Sequence, residues 1–218
     1  MDNPMRGFEA MAGRGPWRLL MQHGRRQRWP PGVGLFSQGG RSSRVIAIHS
    51  GRVRVDYTNA EGRSTLLAMR GHGDLIGEFS VLDSQAHSAD VRTVEACEGT
   101  IFHAPRFMRT VQRLELDGTL LKYLIKKTRE TTEFTIATRL PVKARLAALL
   151  TYIVDAGDET TGPSIPMTQR ELADSIGMSL RSVAGTIADW KELGVVRTEG
   201  SGMVIAESDF LRRLARSD

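Results

Sequence analysis

Hydrophobic and polar positions change period along the chain. From residue 17 to about 104, short apolar runs alternate with glycine turns, as in VIAIHSGRVRVDY, NAEGRSTLLAMRGHGDLIGEFSVL and ADVRTVEACEGTIFHA. Within the first run, Gly51-Arg52-Val53-Arg54-Val55-Asp56-Tyr57 alternates with period two, the pattern of a half-buried strand. Asn59-Ala60-Glu61-Gly62 carries the turn chemistry that joins two strands into a hairpin. Turns recur about every ten residues, the spacing of a sandwich or jelly roll.

The texture changes at about Asp117. The stretch LDGTLLKYLIKKTRETTEFTIATRL has no glycine after Gly118 and no proline before Pro141, so it predicts one long helix over 117–140. Leu120, Leu121, Leu124, Ile125, Phe134 and Ile136 are more apolar residues than one barrel needs to cover it. The middle of the helix, Lys126 to Glu133, is polar. Either it is a solvated face, or its threonines, Thr131 and Thr132, face a ligand at a dimer seam. After Pro141, Leu146, Leu149, Leu150 and Ile153 recur at i, i+3, i+4, i+7 and predict a second helix.

The sharpest local signal is TQRELADSIGMSLRSVAGTIADWKELGVV, from Thr168. Thr168-Gln169-Arg170-Glu171 is a capping box that opens a helix. Leu172, Ala173 and Ile176 form its inner face, Gly177 suits a left-handed turn, and Ser179 can cap the next helix. That helix carries Val183, Ile187, Trp190 and Leu193 as its apolar stripe and stops at Gly194. The residues from Val195 to Ile205 then read as a β-hairpin around Gly200-Ser201-Gly202. Two short helices, a tight glycine turn and a wing are the parts of a DNA-binding helix-turn-helix. Leu180, Arg181, Ser182 and Gly185, near the start of the second helix, are placed to reach base edges, and Arg181 can donate two parallel bonds to guanine O6 and N7. Thr168, Arg170, Ser179 and Ser182 are placed to contact phosphates. The implied partner is double-stranded DNA.

Charge changes this picture in one respect. The net charge of +5 is uneven: residues 1–45 carry +6, residues 46–138 are neutral, and residues 139–218 carry −1. The basic excess thus sits away from the helix-turn-helix. The start, MDNPMRGFEAMAGRG, has no apolar signal core, and no apolar run is long enough to span a bilayer, so a cytoplasmic location is expected. One cysteine, Cys97, makes neither an intrachain disulfide nor a cysteine-ligated cluster. His23, His49, His72, His87 and His103 show no metal-ligand spacing, and neither a metal nor a haem is expected. No phosphate-binding glycine loop, HExxH pair or nucleophile elbow is present, so no enzyme activity is expected.

These residues resemble the Crp/Fnr family of bacterial transcription regulators over about residues 17–214. The resemblance rests on Gly51-Arg52-Val53, Gly73-Asp74-Leu75-Ile76-Gly77-Glu78-Phe79, Arg145-Leu146-Ala147, and Gln169-Arg170-Glu171-Leu172-Ala173 followed by Ser179, Ser182 and Val183. It implies an α+β fold: an N-terminal cyclic-nucleotide-binding-type β jelly roll, a long dimerisation helix and a C-terminal winged helix-turn-helix. The expected segments are a basic, flexible N-terminus (1–16), a sensor jelly roll (17–116), the dimerisation helix (117–140) and the DNA-binding domain (141–218). The implied assembly is a homodimer, with RNA polymerase a candidate partner. The implied effector pocket comprises Gly77, Glu78, Phe79, Ser80, His87, Ser88 and Ala89, with Thr131 and Thr132 from the long helix.

Two departures from the family pattern matter. Members that bind cAMP use a glutamate, here Glu78, for the ribose hydroxyl and an arginine for the cyclic phosphate, and here His87 stands in that arginine's place. A neutral imidazole lacks both the charge and the two-pronged donor geometry, although the Ser88 and Ala89 amides can still cradle a phosphate. A cyclic nucleotide is therefore the candidate effector, with tight cAMP binding not expected, and no other cofactor is indicated. The recognition-helix pattern also lacks its two usual arginines, at 180 and 185, so the usual half-site is not expected.

Overall fold

The computed structural model describes residues 7–199 and 202–216. Residues 1–6 of the basic N-terminus, and the wing turn at Gly200 and Ser201, lie outside the described residues. Two short helices, α1 (Gly7–Ala12) and α2 (Arg14–Met21), precede the strands β1 (Arg25–Trp29), β2 (Gly34–Phe36), β3 (Arg44–Ser50), β4 (Val53–Thr58), β5 (Ser64–Arg70) and β6 (Leu75–Ile76). Helix α3 (Glu78–Asp83), strands β7 (Asp90–Thr93) and β8 (Cys97–His103), and helices α4 (Ala104–Arg113) and α5 (Asp117–Ala137) follow. The C-terminal part is α6 (Val142–Asp155), β9 (Ser164–Ile165), α7 (Gln169–Ser175), α8 (Leu180–Glu192), β10 (Val196–Glu199), β11 (Gly202–Ile205) and α9 (Ser208–Leu214).

The expected jelly roll is present as two antiparallel four-stranded sheets, in the orders β1-β8-β3-β6 and β2-β7-β4-β5. Strand β3 shows how they pack. Ile46 and Ile48 point between the sheets, into a core with Phe36, Val53 and Val91, while Val45 and Ala47 point outward beneath the helices. A strand covered on both faces reads as a continuous apolar run, as VIAI does. The hairpin turn at Asn59 is held by its side-chain oxygen, which accepts from the Glu61 and Arg63 amides, and Gly62 takes the left-handed conformation.

The N-terminus differs from the sequence expectation. Residues 7–16 are not a flexible basic tail, and residues 17–21 are not strand. Phe8 is fully buried against Tyr123, and its amide donates to Gly73 O at 2.7 Å. Trp17 and Leu20, one helical turn apart, join the same core. At six and eight residues these helices are too short for their apolar spacing to stand out from the chain around them, and they cover the outward face of β3, where Val45 and Ala47 lie buried. Helix α4 is a further element beyond the sequence expectation, with Phe107, Thr110 and Val111 supplying an i, i+3, i+4 inner face.

The C-terminal part has its own core of α6, α7, α8, α9 and the three-stranded sheet β10-β11-β9. Leu146, Leu149, Leu150 and Ile153 are all fully buried there, as their spacing predicts. Leu66 and Met69 of β5 and Phe134 of α5 also belong to this core. The two halves are thus packed together rather than merely linked. Arg52, with no exposed surface, donates to both Glu95 carboxylate oxygens, to Ile153 O, and to the carbonyl and hydroxyl of Ser164. Beside it, the Gly71 backbone lies so close to Ala156 O that a Cβ would fall 1.8 Å from it. No helix among the described residues is long and apolar enough to cross a membrane.

Candidate functional site

A cavity of about 300 Å3 lies between the roll and α5. It is lined by all nine residues anticipated for the effector pocket: Gly77, Glu78, Phe79, Ser80, His87, Ser88, Ala89, Thr131 and Thr132. Gly77 occupies the left-handed region at φ 85°, where a Cβ would fall 2.7 Å from Arg44 O and from the Phe36 ring. That constraint sets Glu78 at the first position of α3, inside the roll and 1% exposed. Most of the remaining wall is apolar and includes Phe36, Val55, Leu67, Ile76 and Val91.

The cavity also contains two cations that sequence reading missed, Lys127 and Arg70. Lys127, in the polar middle of α5, is buried and donates to Glu78 Oε1 at 2.5 Å and to Leu75 O at 2.8 Å. Burial pushes the Lys127 ammonium below its ordinary range while Glu78 pulls it back up. Of the polar stretch, Thr128, Arg129, Thr132 and Glu133 are exposed, as a solvated face requires, while Lys127 is buried, and Thr131 and Thr132 line the cavity. The Thr132 hydroxyl, however, donates back to Thr128 O on its own helix.

His87 is built in as a neutral bridge. Its Nε2 lies 2.7 Å from Ser42 Oγ and its Nδ1 lies 2.8 Å from Ser80 Oγ, and its ring packs on Phe36 at 4.4 Å. Burial, reinforced by the Arg44 charge, holds the imidazole below its ordinary value. At neutral pH this ring offers no charge to a phosphate. Cys97 is a core thiol, pushed up to about 12 mainly by burial and by Glu95.

The second site is the helix pair. The Thr168 capping box is formed in full, with the Glu171 amide donating to Thr168 Oγ1 and the Thr168 amide to Glu171 Oε2. Gly177 turns the chain at φ 62°, and the Ser182 amide donates to Ser179 Oγ at 3.1 Å. Val183, Ile187 and Trp190 bury the inner face of α8. Leu193 does not join them. It is 67% exposed, and Val195 and Val196 fill the core beyond the helix end. On the outer face Leu180, Arg181 and Gly185 are exposed and Ser182 is half-buried, so all four candidate base readers remain accessible. Thr168, Arg170 and Ser179 are exposed nearby. The Thr168 and Ser179 hydroxyls are engaged in their caps. Arg197, on the wing strand β10, is an exposed cation that the sequence reading did not single out.

Along α5, Leu121, Ile125 and Ile136 stay exposed at 60%, 47% and 60%. Leu120 and Phe134, expected to add to a surplus apolar face, are instead buried within the chain.

Comparison with known proteins agrees with this architecture. A family model described as the cyclic nucleotide-binding domain matches residues 26–113, and one described as the Crp-like helix-turn-helix domain matches residues 144–214. A CRP-like cAMP-activated global transcriptional regulator of Mycobacterium tuberculosis is 27% identical over 196 residues, covering 86% of this chain and 87% of that protein. A cyclic AMP receptor protein of Thermus thermophilus is 28% identical over 199 residues, covering 90% and 91%. Among solved structures, FixK2 from Bradyrhizobium japonicum shares the fold with a TM-score of 0.75 at 15% identity, covering 89% of this chain and 98% of that one.

Proposed function

The chain belongs to the Crp/Fnr family of transcription regulators, and from that premise we propose that it works as a cytoplasmic homodimer that reads a pseudo-palindromic operator without needing tightly bound cAMP. The observation that carries the DNA reading is the exposed first turn of α8, capped by Ser179 and presenting Arg181. The unpartnered stripe Leu121, Ile125 and Ile136 supports pairing along α5. Such a dimer places two recognition helices about 34 Å apart, one turn of DNA. RNA polymerase remains a candidate partner of the DNA-bound dimer. The cavity is read as the effector site, and none of its residues suggests bond-making chemistry.

The case against tight cAMP binding rests on His87, which is neutral and already bonded through both ring nitrogens. Glu78, the implied ribose partner, spends one carboxylate oxygen on Lys127. A cAMP-responsive regulator is the second reading, favoured by the family match across residues 26–113 and by the names of the Mycobacterium and Thermus relatives. Two measurements test the pair of readings. Selection of bound DNA fragments, with and without cAMP, is expected to enrich the same pseudo-palindrome in both cases. Calorimetry at pH 7 is expected to show no submicromolar cAMP binding, and a submicromolar dissociation constant would overturn the first reading in favour of the second.

A further inference from the structure

Arg70 closes β5 at the edge of the cavity and is only 4% exposed. Every hydrogen bond its side chain makes among the described residues leaves from one nitrogen, Nη1. That nitrogen donates to Met69 O at 3.1 Å, Glu130 Oε2 at 3.2 Å and Tyr152 Oη at 3.1 Å. The Nε–H is buried without an acceptor. A buried donor left unpaired is costly, and such groups are rare unless something outside the chain completes them. The Nε–Nη2 edge left uncommitted is one side of the guanidinium fork, which matches two oxygens of a carboxylate or phosphoryl group.

A second orphan belongs to another residue of the same lining. Glu78 Oε2 is buried without a donor, while Oε1 takes Lys127. The walls between are largely apolar. Two lining residues that each keep an unpartnered buried polar atom, one a donor and one an acceptor, between hydrophobic sides describe by complementarity a ligand toward which they could turn.

We infer that the cavity binds a small oxoanion with an apolar body, its two oxygens on the Nε–Nη2 edge of Arg70 and a hydroxyl or N–H of the same molecule donating to Glu78 Oε2. This rests on the reading of the cavity as the effector site and moves the anion position from the His87 loop to β5. It also supplies a route to the DNA-binding half. The guanidinium that holds the anion also holds the Tyr152 hydroxyl on α6, and the Tyr152 ring stacks on Phe134 of α5 at 4.7 Å. A ligand that draws Arg70 into the cavity therefore acts directly on the first helix of the C-terminal core.

The test is calorimetry of the full chain with salicylate, a carboxylate, and phenyl phosphate, a phosphoryl group, with cAMP as a third titrant. One of the two small oxoanions is expected to bind saturably, and which one identifies the anion type. Arg70→Met, its folding checked by thermal unfolding, is expected to weaken that binding by about tenfold or more, the loss of a charge-assisted contact. Arg70→Lys, which keeps charge but not the fork, is expected to recover only part. Tyr152→Phe is expected to bind the probe as the parent does, while the probe no longer shifts affinity for DNA. Failure of both oxoanions to bind, or undiminished binding by folded Arg70→Met, overturns the proposal. So does tighter binding of cAMP that ignores Arg70. DNA affinity of the ligand-free protein, measured alongside, reports separately on the regulator reading. A probe that binds through Arg70 but leaves DNA affinity unmoved upholds the anion site and removes the cavity's role as effector site.

Discussion

Arg52, in the turn between β3 and β4, donates to the carbonyl oxygen of Ser164 at 2.8 Å and to its hydroxyl at 2.9 Å, joining the roll to the foot of the C-terminal domain. Its remaining N–H groups are taken by Glu95 and by Ile153 O, so a fully buried cation is satisfied from both halves at once. Breaking a buried pair by removing one partner leaves the other uncompensated. Arg52→Ala is therefore expected to cost about 3 kcal/mol of unfolding free energy. Denaturant titration followed by two probes, one in each half, is expected to show the two transitions separating.

Assembly depends on the outer stripe of α5. Replacing both Leu121 and Ile125 by Glu puts charges on a face that contributes little to the chain's own core, so the monomer is expected to fold. Light scattering at micromolar concentration is expected to give a dimer for the parent and a monomer for the double variant. A monomeric parent would contradict the dimer reading.

Readout is expected to depend on Arg181. Arg181→Ala removes an exposed, unburied side chain and is expected to leave stability unchanged. It is expected to cost about 1–3 kcal/mol on the selected operator and to relax preference at one base pair. Thr168→Ala and Ser179→Ala remove caps, cost about 1 kcal/mol of stability each, and are expected to weaken all DNA sequences alike. Competition binding with single-base operator variants separates the two behaviours.

His87 is expected to leave a mark on the pH dependence of stability. Its value in the folded chain is depressed, first by burial and then by Arg44. The unfolded chain therefore takes up the proton first, so the contribution of His87 is fully present above the ordinary value near 6.5 and is lost as pH falls below it. Thermal unfolding between pH 8 and pH 5 is expected to fall more steeply for the parent than for His87→Gln, which keeps donor and acceptor capacity for Ser42 and Ser80 without titrating. Comparing the two chains cancels the similarly depressed His23 and His49.

The pieces of this protein that depend on neighbours in the chain could be read before folding was considered. The capping box at Thr168, the left-handed Gly177, the Ser179 cap and the apolar spacing of α6 each follow from the residues themselves, because a helix end or an amphipathic face is decided within one or two turns. The pocket segment 77–89 was legible only through the family resemblance; the crowding that requires glycine at position 77 comes from Arg44 O and the Phe36 ring, which lie far away in the chain. What folding in three dimensions decided is where charge and apolar surface meet across long separations. Lys127 in a polar stretch looks solvated until α5 lies over Glu78, forty-nine residues away in the chain. Arg70 and Arg52 look like ordinary strand charges until α6 and Ser164 pack on them. Leu193 continues a helical stripe on paper, yet the chain leaves α8 one residue later at Gly194, and Val195 takes its place in the core. Burial of a charge is a property of the surfaces that close over it, and those surfaces come from parts of the chain that no local pattern connects.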